Sequence, residues 1–420
     1  IDPNIYGDWL DQRDEDFESW PAIGDKKKTA SAKIFNAFGA GLQTNRDSWV
    51  YSSSKNELGS LIETLTSNVA VATESWNKWA TNTKITKANE STVAQFLTEY
   101  PELSDPHFIK WSRSLRQHVA KGEPAVIHSD GFTTGLYRPF NKQRVYFDSY
   151  LNHERSQLPR MFPTPLHANF GYYVVNPGSA KPFASIATDL IPDLAMWGSN
   201  AGQFFPRWTW ETVKAPEGEL AFGMGASEGS KPGTEGEILD GYRRVDNITD
   251  EILGIYREAL GSDVTKDDIF YFVYGQLHDP GYREKYAADL KKMLPHIETP
   301  TSRARFDQLA AAGRELMDLH VNYEDVDPWP VAVDVKASED ESDRETWRVQ
   351  KMKWAKKKDS ETGKNVNDVT TLVYNKSVTV RDIPAEADEY MLGSRSALAW
   401  IIDRYQVKKD KACLLYTSPS

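Results

Sequence analysis

Between Asn169 and Glu211 the sequence reads NFGYYVVN, then PFASIATDL, then QFFPRWTWE. These segments are short and rich in the aromatic and β-branched residues that favour strands, and they are separated by Gly, Pro and Asn. Downstream, Thr265–Pro295 reads TKDDIFYFVYGQLHDPGYREKYAADLKKMLP, in which Thr265 and Asp268 have the spacing of a helix capping box. Strands followed by helices predict an α+β fold, with a mixed β region, then a helical domain and a small β-hairpin element.

Composition and hydrophobic spacing divide the chain into successive zones. We expect an N-terminal zone over 1–54, a helical connector over 55–123, a β-rich region over 124–211, a Gly/Pro/Glu/Ser-rich linker or loop over 212–240, a helical domain over 241–329, a β-hairpin element over 330–385, a C-terminal helix over 386–412 and a tail over 413–420. No period of roughly 20 to 50 residues recurs, so we do not expect a solenoid.

The helical zones are predicted from apolar residues that recur at helical spacing. In the connector, Leu58, Leu61 and Leu65 fall on one face of a helix. A second, short helix is expected to start near Pro106, and the last helix of the chain near Ser394.

The overall composition excludes several classes of protein. Hydrophobic residues make up 40% of the 420 positions and charged residues 26%, as in ordinary globular proteins. The net charge of −11 argues against indiscriminate coating of nucleic acid but leaves room for a local basic groove. No apolar run is long enough to cross a membrane and no signal peptide is visible, so we expect no membrane partner.

The single cysteine, Cys413, lies in the closing segment CLLYTSPS, which differs in character from the sequence before it. We interpret Cys413–Ser420 as the translation of a sequencing adapter. A natural chain without cysteine can form neither disulfides nor thiolate metal sites, which is consistent with a reducing compartment. We therefore expect a cytoplasmic protein.

The motifs of several common catalytic and nucleotide-binding sites are missing. The sequence contains no GxGxxG after a strand, no GxxxxGK[ST] and no HExxH. Its 8 histidines are scattered, and none is spaced like a metal-binding pair. A pair of carboxylates can hydrolyse glycosidic bonds, but 61 acidic residues always include such pairs by chance. We predict no catalytic residue, cofactor or metal in this segment.

Basic residues concentrate in one part of this acidic chain. From Lys110 to Arg160 there are nine Lys or Arg residues against four acidic ones, whereas Glu324–Glu345 contains nine acidic residues and two basic ones. Such segregated charge would orient a polyanion towards one face of the molecule. Within the basic part, Gly135–Pro163 reads GLYRPFNKQRVYFDSYLNHERSQLPRMFP and alternates rings with positive charges.

This alternation fits two interpretations. On a strand, Arg138 and Phe140 would share a face, and Lys142 and Arg144 would extend the row if the strand pairs in a hairpin. Arginine can clamp phosphates or read guanine edges, and rings can stack on bases. The other interpretation is a hairpin whose rings fill a core and whose charges face solvent.

Three further segments attract attention. Lys26–Lys28 and Lys351–Lys358 (KMKWAKKK) are basic runs that we expect to be solvated loops, with phosphate contact as the alternative. Thr44–Tyr51 (TNRDSWVY) suggests a packed turn with an Asp–Arg pair.

A set of motifs also runs in order along nearly the whole chain, as far as Ala412. The motifs are GDWLDQRDEDFESW (Gly7–Trp20), GDKK (Gly24–Lys27), TNRDSWVY, YRPFNKQRVYFD (Tyr137–Asp148), LPRMFP (Leu158–Pro163), FASIATDLIPDL (Phe183–Leu194), FFPRWTW, DNITDEIL, DDIFYFVYGQLHDPGYREKYAADLKKMLP, AGRELMDLHVNYE and SALAWIIDRYQVKKDK. Together they resemble the methyltransferase tail and target-recognition region of single-chain Type ISP restriction–modification enzymes, and DIFYFVYG is the strongest block.

The resemblance implies a specificity module for double-stranded DNA. In such enzymes one polypeptide carries a nuclease, an ATP-driven helicase motor and an adenine-N6 methyltransferase, whose Asn-Pro-Pro-Tyr-type motif would lie upstream of Ile1. Zone 1–54 would be the methyltransferase tail, 124–211 the target-recognition region and 241–329 a specificity or docking domain, and a family member would continue past Ala412. S-adenosylmethionine, ATP and Mg would be handled by the rest of the enzyme, and its methyltransferase and helicase domains would be partners of this chain.

The resemblance also implies candidate DNA contacts. The primary candidates are Tyr137, Arg138, Phe140, Lys142, Arg144, Arg155 and Arg160, and the secondary candidates are Arg46, Arg113, Arg116 and Arg207. A motif shared by enzymes that read different sites cannot itself specify the site. Loops such as His167–Asn169 and Lys214–Glu237 are therefore the better candidates for discrimination.

Two other functions stay open at this point. The helical block Tyr242–Tyr323 would, in the first alternative, mainly dock onto the methyltransferase or the motor. A carboxylate-based glycoside hydrolase is the more remote alternative.

Overall fold

The computed structural model describes residues 13–26, 29–198, 201–213, 231–406, 408–409 and 416–417. The helices in these ranges are α1 (Asp47–Val50), α2 (Lys55–Asn82), α3 (Glu90–Glu99), α4 (Arg113–Ala120), α5 (Leu158–Met161), α6 (Asp250–Leu260), α7 (Lys266–Gln276), α8 (Pro280–Lys285), α9 (Ala287–Lys292), α10 (Arg303–Val321) and α11 (Ala397–Arg404). Single 3₁₀ turns lie at Phe17–Ser19, Pro101–Ser104, Ser129–Gly131, Arg344–Trp347 and Ala385–Asp388.

The strands are short, and all the strand pairs described below are antiparallel. They are β1 (Gly39–Ala40), β2 (Tyr51–Ser52), β3 (Phe132–Arg138), β4 (Asn141–Tyr146), β5 (Gly171–Val175), β6 (Ser185–Thr188), β7 (Ile191–Pro192), β8 (Gly202–Pro206), β9 (Trp208–Thr212), β10 (Ile238–Leu239), β11 (Tyr242–Asp246), β12 (Ala332–Val335), β13 (Lys353–Lys358), β14 (Asn365–Val373), β15 (Val378–Arg381), β16 (Met391–Leu392), β17 (Arg395–Ser396), β18 (Lys408–Lys409) and β19 (Tyr416–Thr417). Helices together with several small sheets confirm the predicted α+β class.

The chain forms two compact units, and each draws on two separate segments. The first unit comprises Ile1–Gly41 and Ser156–Val326, and the second comprises Leu42–Arg155 and Asp327–Ser420. The sequence zones did not anticipate this interleaving.

The chain leaves the first unit and returns to it at neighbouring points. Within the first unit, the backbone N–H of Ala40 donates to the Ser156 hydroxyl at 3.2 Å. Within the second unit, Gln43 and Glu154 exchange two backbone hydrogen bonds of 2.9 Å. The two ends of segment 42–155 are therefore adjacent and joined by hydrogen bonds.

The described part of the first unit contains two sheets, in the strand orders β1-β8-β5-β6 and β10-β11-β9. Every residue of β5, β6 and β8 is buried, in keeping with their nearly unbroken apolar and aromatic sequences. One face of β5 and β8 presents Tyr172 and Phe205 to the core shared with α6, α7 and α10. The Tyr172 ring lies 5.2 Å from Phe270 and 5.3 Å from Tyr274, both on α7. Burial of each such ring stabilises the fold by roughly 1.5–3 kcal/mol.

Helices α7 and α10 cross at two glycines. A Cβ added to Gly275 would lie 2.2 Å from the Leu309 carbonyl oxygen, and one added to Gly313 would lie 2.0 Å from that of Tyr271. Real Cβ atoms do not approach backbone so closely, so only glycine permits this crossing. The predicted capping box at the start of α7 is also present, because Asp268 N–H donates to the Thr265 hydroxyl at 3.2 Å and Thr265 N–H donates to Asp268 at 3.1 Å.

A buried polar cluster closes this core near the sheet. The Ala187 N–H donates to the Tyr274 hydroxyl at 2.8 Å, and that hydroxyl also contacts Nδ1 of His320. Nδ1 and Nε2 of His278 lie 2.9 Å and 3.2 Å from the carbonyl oxygens of Tyr274 and Ser185. Burial lowers the pKa of His320 to about 3 and holds that of His278 well below its usual range.

Helices α2, α3 and α4 lie in the N-terminal segment of the second unit, over the range predicted for the helical connector. Helix α2 starts at Lys55 and is capped by Ser54, and its Trp76 and Trp79 pack against Phe96 of α3. A second, short helix was expected near Pro106. The structure instead has α3, which was not anticipated, and then α4, which begins at Arg113 because Ser112 supplies the capping side chain.

The C-terminal segment of the second unit contains a sheet in the order β12-β15-β14-β13. Its edge strand β13 holds most of the run Lys351–Lys358, so the prediction of a loop is wrong there. Helix α11 starts at Ala397, close to the predicted Ser394, with Ser396 as its cap. Cys413–Ser420 falls mostly outside the described residues, and its interpretation as an adapter stays a prediction.

Two kinds of feature are absent from the described residues. None of the helices there is long and apolar enough to cross a membrane. No group of three or more His, Cys, Asp or Glu side chains in those ranges is arranged to hold a metal ion.

Candidate nucleic-acid interface

The Arg/aromatic segment folds as the antiparallel hairpin β3–β4, with β2 added on the outer side of β4. The turn consists of Pro139 and Phe140, and Phe140 adopts a φ of 56°, in the left-handed region. The prediction that Arg138 and Phe140 share the face of one strand is wrong, because β3 ends at Arg138 and Phe140 lies in the turn.

Lys142 and Arg144 do share a face of β4, as expected for residues two apart. Arg144 is exposed, lies opposite Thr134, and donates from Nη1 to the Thr134 hydroxyl at 2.8 Å. No carboxylate of the described residues pairs with Arg144, so its charge faces solvent uncompensated. Lys142 is half-buried opposite Leu136. Arg144 is the hairpin cation best placed to meet a phosphate.

The aromatic part of the hairpin faces inwards instead. The Tyr137 hydroxyl donates to Oδ2 of Asp47 at 3.0 Å, and the Tyr137 ring lies 4.9 Å from that of Tyr51. The Arg138 guanidinium stacks over the Tyr137 ring at 3.9 Å and donates to the Tyr137 carbonyl, and only 7% of the residue is exposed. Motifs TNRDSWVY and YRPF thus pack against each other, which gives YRPF a structural role.

Phe140 is also buried, and its carbonyl accepts a hydrogen bond of 3.1 Å from the Tyr405 hydroxyl. Neither the Tyr137 ring nor the Phe140 ring is presented for stacking on a base in this conformation. The interpretation of a ring-filled hairpin with a charged outer face therefore describes this segment best.

Arg155 and Arg160 occupy different environments. Arg155, in the second unit, is half-buried, with its guanidinium 5.1 Å from the Phe147 ring, and burial lowers its pKa. Arg160, in the first unit, is exposed and lies 3.7 Å from Glu211, a loose pair that a phosphate can replace.

Arg46 is fully buried, so it is not available to DNA in this structure. Its guanidinium donates to the carbonyls of Lys110 and Leu151 and, at 2.7 Å, to the Ser112 hydroxyl. Burial lowers the pKa of Arg46 to about 10. None of these bonds goes to Asp47, so the expected Asp–Arg pair within TNRDSWVY is wrong.

Arg207 is buried in the first unit and held by carboxylates. Nη1 and Nη2 donate to Asp246 at 2.8 and 3.0 Å, and Nε donates to Asp267 at 2.7 Å. A bidentate pair of this kind fixes the side chain, so Arg207 ties β9 to β11 and α7 rather than reaching solvent.

Arg113 and Arg116 lie on α4 near His153. Arg113 is exposed and 3.6 Å from Glu90, whereas Arg116 is half-buried. The Ser114 hydroxyl and Nδ1 of His153 lie 3.0 Å apart. Burial is the main reason that the pKa of His153 is lowered; the carboxylate of Glu154 opposes this shift, and the guanidinium groups of Arg46, Arg113 and Arg116 add to it. Three guanidinium groups and one carboxylate therefore lie around His153.

Of the two loops proposed for base discrimination, the structure describes His167–Asn169 in full and only the end of Lys214–Glu237. His167 and Asn169 are buried, and Asn169 donates to the carbonyls of Met161 and Trp208 at 2.8 Å. His167 Nε2 lies 3.0 Å from the Leu239 carbonyl oxygen. These side chains support the fold and cannot read DNA as they stand. Most of Lys214–Glu237, up to residue 230, lies outside the described residues.

Sequence reasoning missed one exposed cation in the first unit. Arg243 lies on β11, directly opposite Glu211, and its side chain is exposed. The adjacent Arg244 is buried against Trp208 and Trp210 and pairs with Glu237 at 2.9 Å. The alternation of exposed and buried positions in a strand is the signal that separates these two arginines.

Comparison with known protein families identifies the family of this chain. The model of the Type ISP C-terminal specificity domain matches residues 33–419. The chain belongs to this family. The resemblance inferred from the sequence motifs is thereby confirmed, and the match argues against the glycoside hydrolase alternative.

The Type ISP specificity-domain fold is also similar to solved structures. A nuclease-deletion mutant of the Type ISP restriction–modification enzyme LlaGI, in complex with a DNA substrate mimic, has a TM-score of 0.75 and 29% identity, over 100% of this chain and 33% of that one. The ATP-dependent Type ISP enzyme LlaBIII bound to DNA has a TM-score of 0.76 and 26% identity, over 100% and 23%. A cryo-electron microscopy structure of a DrdV–DNA complex has a TM-score of 0.74 and 26% identity, over 98% and 36%.

This chain therefore spans between about a quarter and about a third of the length of these proteins. No curated protein matches it significantly.

Proposed function

We propose that this chain is the DNA target-recognition segment of a Type ISP restriction–modification enzyme. The observation that carries the proposal is the match of its family over residues 33–419. The similarity of its whole length to parts of LlaGI and LlaBIII, both solved with DNA or a DNA mimic, supports the same function.

The distribution of charge supports binding of duplex DNA at local sites. The chain carries a net charge of −11, so a phosphate backbone is attracted only where cations are exposed without carboxylates. Among the arginines described above, Arg144 of the second unit meets this condition, whereas Arg243 of the first unit is exposed opposite Glu211 and Arg160 is paired only loosely. Lys142, Arg155, Arg113 and Arg116 are partly accessible and extend the set of candidates.

The catalytic steps belong elsewhere in this proposal. Adenine-N6 methylation and cleavage of unmodified DNA would be carried out by upstream methyltransferase, helicase and nuclease domains of the same polypeptide. S-adenosylmethionine, ATP and Mg would bind to those domains, as the resemblance to Type ISP enzymes implies.

The test is selection of duplexes from a random-sequence pool by the whole 420-residue chain, together with binding measured as a function of salt. We expect enrichment of one short sequence, and an affinity that falls steeply as salt rises. Steep salt dependence without enrichment would mean that the segment grips DNA but does not read it. A folded chain that binds no duplex at roughly 50 mM salt would overturn the proposal.

A second function, docking onto the rest of the enzyme, is supported by one observation. Trp329 is 65% exposed and Val333 47% exposed, although large apolar side chains are usually covered. Replacement of Trp329 by Ser in the complete enzyme should then impair methylation while the isolated chain binds DNA as before. Equal activity of the Trp329→Ser enzyme would argue against docking through this side chain.

A further inference from the structure

We propose that the groove beside strand β13 in the second unit holds the phosphodiester backbone of duplex DNA through Lys351, Lys353 and Lys356. This inference rests on the proposed function and extends it to a second contact surface, away from the Arg/aromatic hairpin in sequence. It also assigns a role to the run KMKWAKKK.

The groove has a volume of about 970 Å³ and is open to solvent along one side. The residues that line it include apolar side chains, among them the buried Met352 and Trp354, together with the three exposed lysines and Arg395. Trp354 is only 8% exposed, so this apolar part of the groove is fixed by packing. Lysine stems can lie along such a surface while their ammonium groups reach solvent.

The three lysines are cations without carboxylate partners. Lys353 has no polar partner among the described residues, and Lys356 donates to the neutral Asn367 Oδ1 at 2.7 Å. Two carboxylates also line the groove: Asp403 pairs with Arg395 at 2.8 Å, and Asp388 accepts a hydrogen bond from the Ser396 hydroxyl, so the three lysines and Arg395 outnumber them. The groove therefore retains uncompensated positive charge.

The spacing of the lysines suits a regular polyanion. Strand β13 is the edge strand of its sheet, and five residues of extended chain, from Lys351 to Lys356, span at most roughly 16 Å. At about 3.4 Å of helix axis per base step of one strand, this length corresponds to about five base steps measured along the axis of the duplex. The register of β13 shifts between Trp354 and Ala355, and both Lys353 and Lys356 line the groove.

Duplex DNA fits these observations better than an acidic polypeptide. A peptide added to an edge strand would need free backbone groups along its whole length, and the backbone at Lys351 already bridges to Gln406, which shortens the free edge. Lysine is a point charge that grips phosphate without reading sequence. The groove therefore fixes DNA in register and leaves discrimination to other residues.

The experiment compares two triple variants of the whole chain, each removing three positive charges. K351Q/K353Q/K356Q neutralises the groove, and K87Q/K291Q/K336Q neutralises three exposed lysines elsewhere that have no carboxylate partner. Binding of a random-sequence duplex is measured from low to moderate salt, with circular dichroism as the check on folding. If the groove triple is misfolded, the single reversal K353E replaces it.

We expect the groove triple to reduce the slope of log K against log [salt] by about 0.9 for each phosphate that the groove no longer neutralises, while the control triple leaves the slope unchanged. Equal slopes for the two triples would overturn the inference. The lysines would then either protect the edge of the sheet from pairing or affect DNA only through the net charge of the chain. If the groove triple binds polyglutamate more weakly but binds DNA as before, the groove takes up an acidic polypeptide and the inference is overturned. If the unmodified chain binds no DNA, the proposed function itself fails, which is a distinct result.

Discussion

Gly275 and Gly313 meet where helices α7 and α10 cross, and a Cβ on Gly313 would lie 2.8 Å from the backbone nitrogen of Gly275. The same Cβ would also collide with the Tyr271 carbonyl at 2.0 Å. Backbone cannot yield in the way that a flexible side chain can. The two helices hold the aromatic core of the first unit against its sheet, so their separation sets the packing of that whole core.

Replacement of Gly313 by Ala should therefore destabilise the protein by about 1–3 kcal/mol or more, because overpacking forces the helices apart. The measurement is urea denaturation followed by the fluorescence of the core aromatics. The matched control is Gly254→Ala in α6, where an added Cβ meets nothing within 4 Å. That variant should gain roughly 0.4–1 kcal/mol. Equal effects of the two substitutions would contradict the close crossing.

The buried histidines should make the protein sensitive to acid. The Tyr274 hydroxyl accepts a hydrogen bond from Ala187 N–H and contacts Nδ1 of His320, to which it can donate while that nitrogen carries no proton. The folded-state pKa of His320 is about 3, below the value near 6.5 of an unfolded histidine. The unfolded chain thus binds more protons between these values. Stability should be complete above about pH 6.5 and fall by roughly 1.4 kcal/mol per pH unit below it, for each such histidine.

Unfolding by urea at several pH values between about 4 and 7 measures this dependence. His320→Gln keeps an acceptor for Tyr274 but cannot titrate, so its stability should vary less with pH than that of the unmodified chain. His128→Gln, at an exposed position, is the control and should follow the unmodified chain. A His320→Gln profile as steep as the control's would show that His320 does not titrate on unfolding.

Arg207 provides a prediction about folding rather than binding. Asp246 is buried with it, so Asp246→Asn leaves a buried guanidinium poorly compensated and should cost about 3–5 kcal/mol. Asp267 is 53% exposed, so Asp267→Asn should cost less than about 1 kcal/mol. Thermal or urea unfolding checks both values. Affinity for DNA, measured below the unfolding transition, should be unchanged, and a loss of affinity in fully folded Asp267→Asn protein would instead place this network at the DNA.

Arg144 provides the corresponding prediction about binding. Arg144→Gln should leave stability nearly unchanged and reduce the salt slope of DNA binding by about 0.9, because one phosphate is no longer neutralised. Arg348→Gln is the control, since Arg348 is also exposed but pairs with Glu345 at 3.3 Å. Titration of a labelled duplex by fluorescence anisotropy measures both. A slope that stays the same in Arg144→Gln would remove the hairpin from the interface.

Local patterns predicted the elements of this fold well. The spacing of Leu58, Leu61 and Leu65 indicated α2, and the Thr265–Asp268 box marked the start of α7 to the residue. Both signals act within a few residues of the chain, where periodicity and capping are decided.

The roles of individual arginines could not be predicted in the same way. Arg46 and Arg144 both lie in motifs of mixed charge and rings, yet one is fully buried against carbonyl groups and the other is exposed. The groups that hold Arg46 are 64 to 105 residues away, and Asp246 is 39 residues from Arg207. Only the tertiary arrangement brings such partners together, so a sequence pattern cannot tell a structural guanidinium from a binding one.

Ala40 lies next to Ser156, and Gln43 lies next to Glu154. This adjacency affects how the segment can be exchanged between genes by recombination. A segment whose two ends meet can be replaced as a block without stretching the chain that carries it. Two crossovers at these neighbouring points would transfer the hairpin, with Arg144 and its supporting helices, between related genes in one event. The aromatic core of the first unit would be untouched by the exchange, because all of its residues lie outside 42–155.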